Sequence, residues 1–279
     1  MPFKEIPNSI EINGQSLRFR NIHKDFSQTT AGNRLNNNPR YKDFLGELGI
    51  KEWQNILGFD VNNLEHGRLT QGIVYCFINN INQSDSEIKF TPEEQKLLLL
   101  TAVVHDWPEG YTKNGDISYD KKTDNDEKEE LALIEKIITK MLGPDSLEIS
   151  IQVKNILEDK NSKLGMTFNA IEKIGYLRTA SIAWRKSKNI DEPVSSNLIL
   201  LTNNVLLNAI PKTVEYSSVF SPVNDFLQRK SSIISDAFTN MPYSIFDRYE
   251  TAQAKEKNII KFDQAKEIWT SVWLKKMVK

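Results

Sequence analysis

The spacing of hydrophobic residues changes near residue 43 and separates a β-like beginning from a long helical remainder. In the stretch SIEINGQSLRFRN, apolar residues alternate with polar ones on both sides of Asn13-Gly14. Asn-Gly favours the type I′ turn of a two-stranded hairpin, so we predict a hairpin here. The polar, Asn-rich stretch over 27–43 predicts a loop.

From about residue 43 onward, apolar residues recur at the three- and four-residue spacing of amphipathic helices. The stretch LEHGRLTQGIVYCFI places His66, Thr70 and Phe77 on one predicted helix face. The next helix is predicted to begin at Thr91, where Glu94 three residues later completes a capping box. Its apolar run, KLLLLTAVV, leads directly into the dipeptide His105-Asp106.

Further helical patterns follow to the C-terminus, so the sequence predicts a mostly α protein with a short N-terminal β-hairpin. One predicted helix, DEKEELALIEKIITKML, ends at Gly143-Pro144, which is a typical stop signal. The stretch PKTVEYSSVFSPVND, over 211–225, is predicted to be a connector. We therefore expect a hairpin and polar loop over 1–42, a helical domain over 43–210, and a C-terminal helical extension over 211–279 packed on the same domain.

Composition and charge narrow the class of protein. The 279 residues include 39% hydrophobic and 26% charged residues, as in ordinary globular proteins, and the formal net charge is −1. A basic track for nucleic acid is not evident, so nucleic acid is not an expected partner. The single cysteine excludes an internal disulfide framework. No apolar run is long enough to cross a bilayer, and no leader pattern is present, so we expect a cytoplasmic protein and no membrane contact.

Two of the three histidines are placed where they can take part in a metal site. A divalent metal site in a helical bundle needs imidazole and carboxylate groups that project inward from different helices. His66 meets this requirement from one predicted helix, and His105-Asp106 from the end of the next. Taken alone, a histidine such as His66 on an apolar helix face is more often a buried core residue than a ligand, and His105 could simply favour the negative end of a helix dipole.

This pattern resembles that of the HD-domain metal-dependent phosphohydrolases. The stretch HDWPEGYTKNGDI is similar to the H-D-x-x-E-x-x-T-G-D motif of their bacterial 5′-deoxynucleotidase branch, with Lys113-Asn114 inserted before Gly115. The resemblance covers about residues 64 to 184 and implies an HD-domain helical bundle. It also implies one bound divalent metal ion, with Mn²⁺, Co²⁺, Fe²⁺, Zn²⁺ and Mg²⁺ all left open.

The resemblance assigns roles to individual residues. It implies metal ligation by His66, His105 and Asp106, with a fourth ligand at the position of Glu172, where the branch has an aspartate. Catalytic roles are implied for Glu109, as acid and base, and for Asp116, as a second acid. Each of two residues also has a purely structural alternative. Glu172 could be a surface residue paired with a lysine, and Asp116 could be a turn residue.

A phosphoester substrate also requires positive charge and a surface for the rest of the molecule. We predict substrate contacts from Arg68, Lys113 and Arg178, and a base or sugar contact from Trp107.

The function expected from this resemblance is hydrolysis of a nucleotide phosphoester, with a (deoxy)nucleoside 5′-monophosphate preferred. Hydrolysis of an alarmone or nucleoside triphosphate is a second hypothesis, although alarmone hydrolases carry Glu-Asp where this chain has Glu109-Gly110. A third is a degenerate HD-fold protein that binds a nucleotide or a partner without catalysis. A homodimer is left open.

Overall fold

The computed structural model describes residues 6–58, 61–84, 87–112 and 122–277. It confirms a mostly α fold with a two-stranded antiparallel hairpin near the N-terminus. Strands β1 (Ser9–Ile12) and β2 (Gln15–Arg18) pair with Ile12 opposite Gln15. Asn13 and Gly14 between them both have positive φ, at 48° and 73°, as a type I′ turn requires.

The chain divides into two compact units. The first contains residues 1–42 and 58–171, and the second contains 43–57 and 172–279. This division differs from the predicted boundaries, because residues 43–57 belong with the C-terminal helices and the N-terminal 42 residues belong with the helices around His66 and His105. One of the boundaries, between residues 171 and 172, falls inside the uninterrupted helix Lys163–Ser187, and hydropathy patterns cannot reveal it.

Among the described residues, six α-helices and the start of a seventh lie in the first unit. The capping box predicted at Thr91 is confirmed: its hydroxyl accepts from the Glu94 amide, and the Glu94 carboxylate accepts from the Thr91 amide. The helix bounds are α1 (Phe19–Ser27), α2 (Thr30–Asn37), α5 (Asn63–Gln83), α6 (Pro92–Val104), α7 (Asp124–Leu142), α8 (Leu147–Glu158) and the start of α9 (Lys163–Ser187).

The prediction of a loop over 27–43 is wrong, because α2 lies inside that stretch. Thr29 caps α2 by accepting a hydrogen bond from the Gly32 amide, and Leu35 is buried. His23, on the preceding helix α1, is also buried, with Nε2 3.0 Å from the Leu64 carbonyl oxygen. Tertiary burial stabilises these short helices despite their polar sequence.

The second unit contains the remaining helices, which are α3 (Lys42–Leu45, from its second residue), α4 (Ile50–Leu57), the rest of α9, α10 (Val194–Tyr216), α11 (Ser221–Asn240), α12 (Ala252–Glu267) and α13 (Lys275–Met277). A π-helical segment, Ile268–Leu274, joins the last two. The predicted connector over 211–225 is wrong, because α10 continues past Pro211 and only residues 217–220 separate α10 from α11.

Within the part of the chain that the structure describes, no helix combines the length and the apolar character needed to cross a membrane.

One carboxylate of the second unit links α9 to α11 and gives a testable pH dependence. Asp236 accepts hydrogen bonds from the Lys188 ammonium and from the Trp184 indole, the latter at 2.6 Å. These bonds lower the pKa of Asp236 to about 2. Because the folded-state pKa lies below the unfolded one, the native carboxylate stabilises the fold above about pH 4. That contribution is lost as the pH falls through about 2.

We therefore expect Asp236→Asn to lower the free energy of unfolding by about 1 kcal/mol at pH 7, a figure reduced for solvent screening because the side chain is 35% exposed. Thermal unfolding of both proteins from pH 7 down to pH 2 measures the difference, which should shrink towards zero at the acid end. Asp225→Asn, on the same helix, is the matched control. A difference that stays constant with pH would contradict the assignment.

Candidate metal centre

A close contact between α5 and α6 brings the two histidines together. A Cβ added to Gly67 would lie 3.0 Å from the Val103 carbonyl oxygen, so only glycine permits this approach of the helices without a shift. His66 immediately precedes this glycine, and His105 is the C-cap of α6. The two imidazole rings consequently lie with their centroids 5.3 Å apart.

Helix α9 supplies the carboxylate of the group. Its Phe168 ring packs edge-on against His105, with the centroids 5.3 Å apart. Glu172 follows one turn later on the same face of this uninterrupted helix. Ligand atoms of His66, His105 and Glu172 all lie within 4.8 Å of one another. This buried group could hold a metal ion, and two imidazoles with a carboxylate suit a divalent transition metal.

Asp106 lies beside the two imidazoles. Its Oδ1 is 3.2 Å from His105 Nε2, and its Oδ2 is 4.0 Å from His66 Nε2. Burial raises the pKa of Asp106, but electrostatic interactions with the groups around it outweigh burial and hold the pKa below its ordinary value. Asp106 is therefore ionised at neutral pH. The groups responsible, in order of effect, are His105, His66, Arg40 and Lys122.

The hydrogen bonds of His105 fit metal ligation. Its Nδ1 lies 3.0 Å from the Ala102 carbonyl oxygen, which can only accept, so Nδ1 carries the proton. In the neutral ring the lone pair is then on Nε2, which is 3.2 Å from Asp106 Oδ1. Two lone pairs at this distance repel each other unless a proton or a cation lies between them. A divalent cation bound by both groups would remove this repulsion, and so would a proton on Nε2.

Arg40 is a member of this group that the sequence did not predict. The residue is 6% exposed, and its Nη1 lies 2.6 Å from His66 Nδ1. A guanidinium can only donate, so Nδ1 accepts and the neutral His66 ring carries its proton on Nε2. If a cation bound at Nε2, the ring proton would have to move to Nδ1, where it would face the guanidinium. If a cation bound at Nδ1, it would need the position that the guanidinium occupies. Arg40 must move before His66 can bind a metal ion.

Glu109 lies close to the group on the 3₁₀ turn Trp107–Gly110 that follows Asp106. It is 7% exposed and accepts a hydrogen bond from the side-chain amide of Asn63. Lys122 Nζ lies 3.9 Å from its carboxylate and 2.5 Å from that of Glu130. Burial lowers the pKa of Lys122, but the nearby carboxylates outweigh it and raise the pKa above its ordinary value. Glu109 therefore has a permanently cationic neighbour.

Helix α2 holds the turn that carries Glu109 in place. A Cβ added to Gly110 would come within 2.7 Å of the Ala31 carbonyl oxygen, so the turn lies directly against α2. Arg34 of α2 donates 3.1 Å hydrogen bonds to the carbonyl oxygens of Gly110 and Thr112. The stretch that looked like a loop in the sequence is therefore the support of the candidate catalytic segment.

Trp107 is buried in the core of the first unit. Its indole is 2% exposed and stacks on Phe26 of α1, with ring centroids 3.9 Å apart and planes within 5°. Packed in this way, the ring fills the core between α1 and the turn, and it does not present a face to a base or sugar.

The residues predicted to contact phosphate differ in their location and exposure. Arg68 has a 58% exposed side chain and pairs with Glu65 at 3.3 Å. Two residues after His66, it faces away from the His66 side of α5. Arg178 belongs to the second unit, and its Nη1 is buried without a hydrogen-bond partner among the described residues. Lys113 and Asp116 lie outside the residues that the structure describes.

No protein-family model, no curated protein and no solved structure matches this chain. The resemblance to the HD-domain phosphohydrolases therefore depends on the residues of the motif alone.

Proposed function

We propose that the protein is a metal-dependent phosphohydrolase of the HD-domain type that cleaves the phosphoester of a nucleotide, with a (deoxy)nucleoside 5′-monophosphate as the preferred substrate. The observation that carries the proposal is the convergence of His66, His105 and Glu172 within 4.8 Å. Asp106, the remaining ligand position that the motif implies, lies beside the two imidazoles.

The residues around this group have complementary tasks. A divalent ion held by the group would lower the pKa of bound water towards neutrality. Glu109, which accepts a hydrogen bond from the Asn63 side chain, would accept a proton from water or return one to the leaving oxygen. Arg40 and Lys122 are the cations beside Asp106 and are better placed than Arg68 to attract the phosphoester oxygens.

A second candidate function is supported by the contact between Arg40 and His66. A guanidinium that satisfies His66 and neutralises Asp106 gives a stable group without a metal ion. This arrangement suits a degenerate HD-fold protein that binds a nucleotide or a partner without hydrolysing it. The two candidates differ in metal content, which is directly measurable.

The test compares two histidine variants. We expect the wild-type protein, loaded with Mn²⁺ or Co²⁺ and freed of excess ion, to retain about one ion per chain and to release phosphate from a nucleoside 5′-monophosphate. His105→Asn should lose both properties, because it removes the Nε2 lone pair. His23→Asn is the matched control, since His23 is a buried histidine outside the group. Elemental analysis and phosphate release measure the two properties.

The substrate panel separates the remaining hypotheses. One outcome is release of phosphate or pyrophosphate from a guanosine tetraphosphate-type alarmone or a nucleoside triphosphate, but not from monophosphates. This outcome would favour the hypothesis of an alarmone or nucleoside triphosphate hydrolase. Retained metal with no hydrolysis of any member would favour the binding protein. A wild-type protein that holds no ion at millimolar Mn²⁺ or Co²⁺ would contradict the metal centre itself.

A further inference from the structure

Four positively charged side chains lie on two helices of the second unit and take no part in the candidate metal centre, although one of them, Arg178, was predicted to contact a substrate phosphate. Arg178 and Arg185 are seven residues apart on α9 and therefore share a face of that helix. Arg229 and Lys230 are neighbours on α11. Burial lowers the pKa of Lys230, and repulsion from the three arginines lowers it further. The hydrogen bond from the Trp184 indole to Asp236 joins α9 to α11 near these positions, and the repulsion agrees with that packing.

Among the residues that the structure describes, these four side chains have no compensating partner. Within the described ranges, none of them takes part in an ion pair or a side-chain hydrogen bond. Other lysines of the same unit do have carboxylate partners: Lys212 lies 2.8 Å from Glu215, and Lys255 lies 2.5 Å from Asp247. The chain has 37 acidic and 36 basic residues, so an uncompensated cluster does not follow from its composition.

The burial of the cluster distinguishes it from an ordinary solvated face. Arg178 and Lys230 are half-buried, whereas Arg185 and Arg229 are exposed. One guanidinium nitrogen of Arg178, Nη1, is fully buried with no hydrogen-bond acceptor among the described residues. A buried donor without an acceptor costs free energy, and so does the approach of like charges. Both costs are removed by an anion that accepts from Arg178 and lies among the four cations.

The helices that carry the cluster are held together. The Trp184 indole on α9 donates a 2.6 Å hydrogen bond to Asp236 on α11, and Lys188 pairs with the same carboxylate. Arg185 is adjacent to Trp184 in sequence, and Lys230 lies six residues before Asp236. The arrangement of cations is thus set by packing between α9 and α11.

We propose that Arg178, Arg185, Arg229 and Lys230 form a binding site for the phosphate groups of a small phosphorylated molecule. Guanidinium groups bind phosphate oxygens in pairs, and three of them with one ammonium suit a multiply charged group such as a diphosphate. The proposal uses only residues of the second unit, and it stands whether or not the protein is a hydrolase.

The test uses pyrophosphate as the probe, at constant ionic strength and with EDTA present to keep the metal centre empty. We expect pyrophosphate to raise the melting temperature of the wild-type protein and to give a saturable signal in titration calorimetry. Arg178→Gln and Lys230→Gln should each weaken binding at least tenfold. Lys257→Gln, which removes one exposed charge from α12, is the matched control and should bind as the wild type does.

A second measurement distinguishes a binding site from a merely structural cluster. Without any anion, Lys230→Gln should raise the melting temperature, because it removes repulsion between charges. If Arg178→Gln fails to fold, Arg229→Gln replaces it, because Arg229 is exposed. Equal affinity of the wild type and all variants, or no saturable binding by the wild type, would overturn the proposal.

The source of the phosphate group is identified in the same titrations. Equal affinity for pyrophosphate and for a nucleoside diphosphate would show that the site recognises the diphosphate alone. Tighter binding of the nucleoside diphosphate would show that the nucleoside also makes contact. Both results support the site, and in the presence of EDTA neither depends on the metal-dependent activity.

Discussion

Glu109→Gln is expected to lower phosphate release by about 10²- to 10⁴-fold, while the metal content of the protein stays at the wild-type level. The amide has the shape of the carboxylate but cannot take up a proton. Glu109 is 7% exposed and oriented by Asn63, with the Lys122 ammonium 3.9 Å away, so the substitution changes its chemistry at a fixed position. Phosphate release from the best nucleotide of the panel, with elemental analysis of the same samples, measures both quantities.

Glu129→Gln, at an exposed position of α7, is the control for the loss of one acidic charge. It should retain full activity. If Glu109→Gln keeps wild-type activity, Glu109 does not transfer the proton. If it loses metal and activity together, Glu109 supports the metal group and does not act on the substrate.

Arg40→Met is expected to bind Mn²⁺ or Co²⁺ about tenfold more tightly than the wild type, and to unfold at a lower temperature when no metal is present. The guanidinium occupies His66 Nδ1 at 2.6 Å and places a positive charge beside Asp106, so it opposes a second cation. Without metal, its removal leaves the Asp106 carboxylate with fewer positive neighbours, which costs about 1–3 kcal/mol of stability.

Isothermal titration with the metal ion and thermal unfolding in EDTA measure the two effects of Arg40→Met. Arg20→Met, at an exposed position of α1, is the matched control and should change neither. Weaker metal binding by Arg40→Met would show that Arg40 supports the metal group, and the conclusion that Arg40 and the metal ion compete would be wrong.

The two variants are expected to change different quantities, so together they distinguish the role of a residue in turnover from its effect on metal binding. Glu109→Gln should reduce turnover with metal retained, whereas Arg40→Met should raise metal affinity whatever happens to turnover. If Arg40→Met binds metal and the wild type does not, the protein has the ligands of a metal enzyme but keeps them closed with its own cation. That result would favour the binding-protein hypothesis.

Several features could be predicted from the sequence because short-range geometry determines them. The hairpin follows from Asn13-Gly14, whose positive φ values match the twist of paired strands. The start of α6 follows from Thr91 and Glu94, which satisfy amides within three residues of each other. The helical face that carries His66 follows from the 3.6-residue period. Each of these depends on atoms only a few residues apart.

The group of residues that could hold a metal ion was predictable in part. The spacing of His66, His105 and Asp106 indicated that the three lie together, and the resemblance added Glu172 at its helix position. The structure brings His66, His105 and Glu172 within 4.8 Å, although no pattern along the chain gives that distance. It depends on the close approach of α5 and α6 at Gly67 and on the contact of Phe168 with His105.

The sequence by itself thus determined the mostly α character of the chain, its hairpin, its helix start at Thr91 and the identity of the candidate ligands. Only the tertiary structure decided that α1 and α2 are helices, that Trp107 packs on Phe26, and that Arg40 contacts His66. The physical reason is the range of the interactions. Capping and turn geometry act between near neighbours, whereas burial and charge compensation depend on groups that folding brings together from distant parts of the chain.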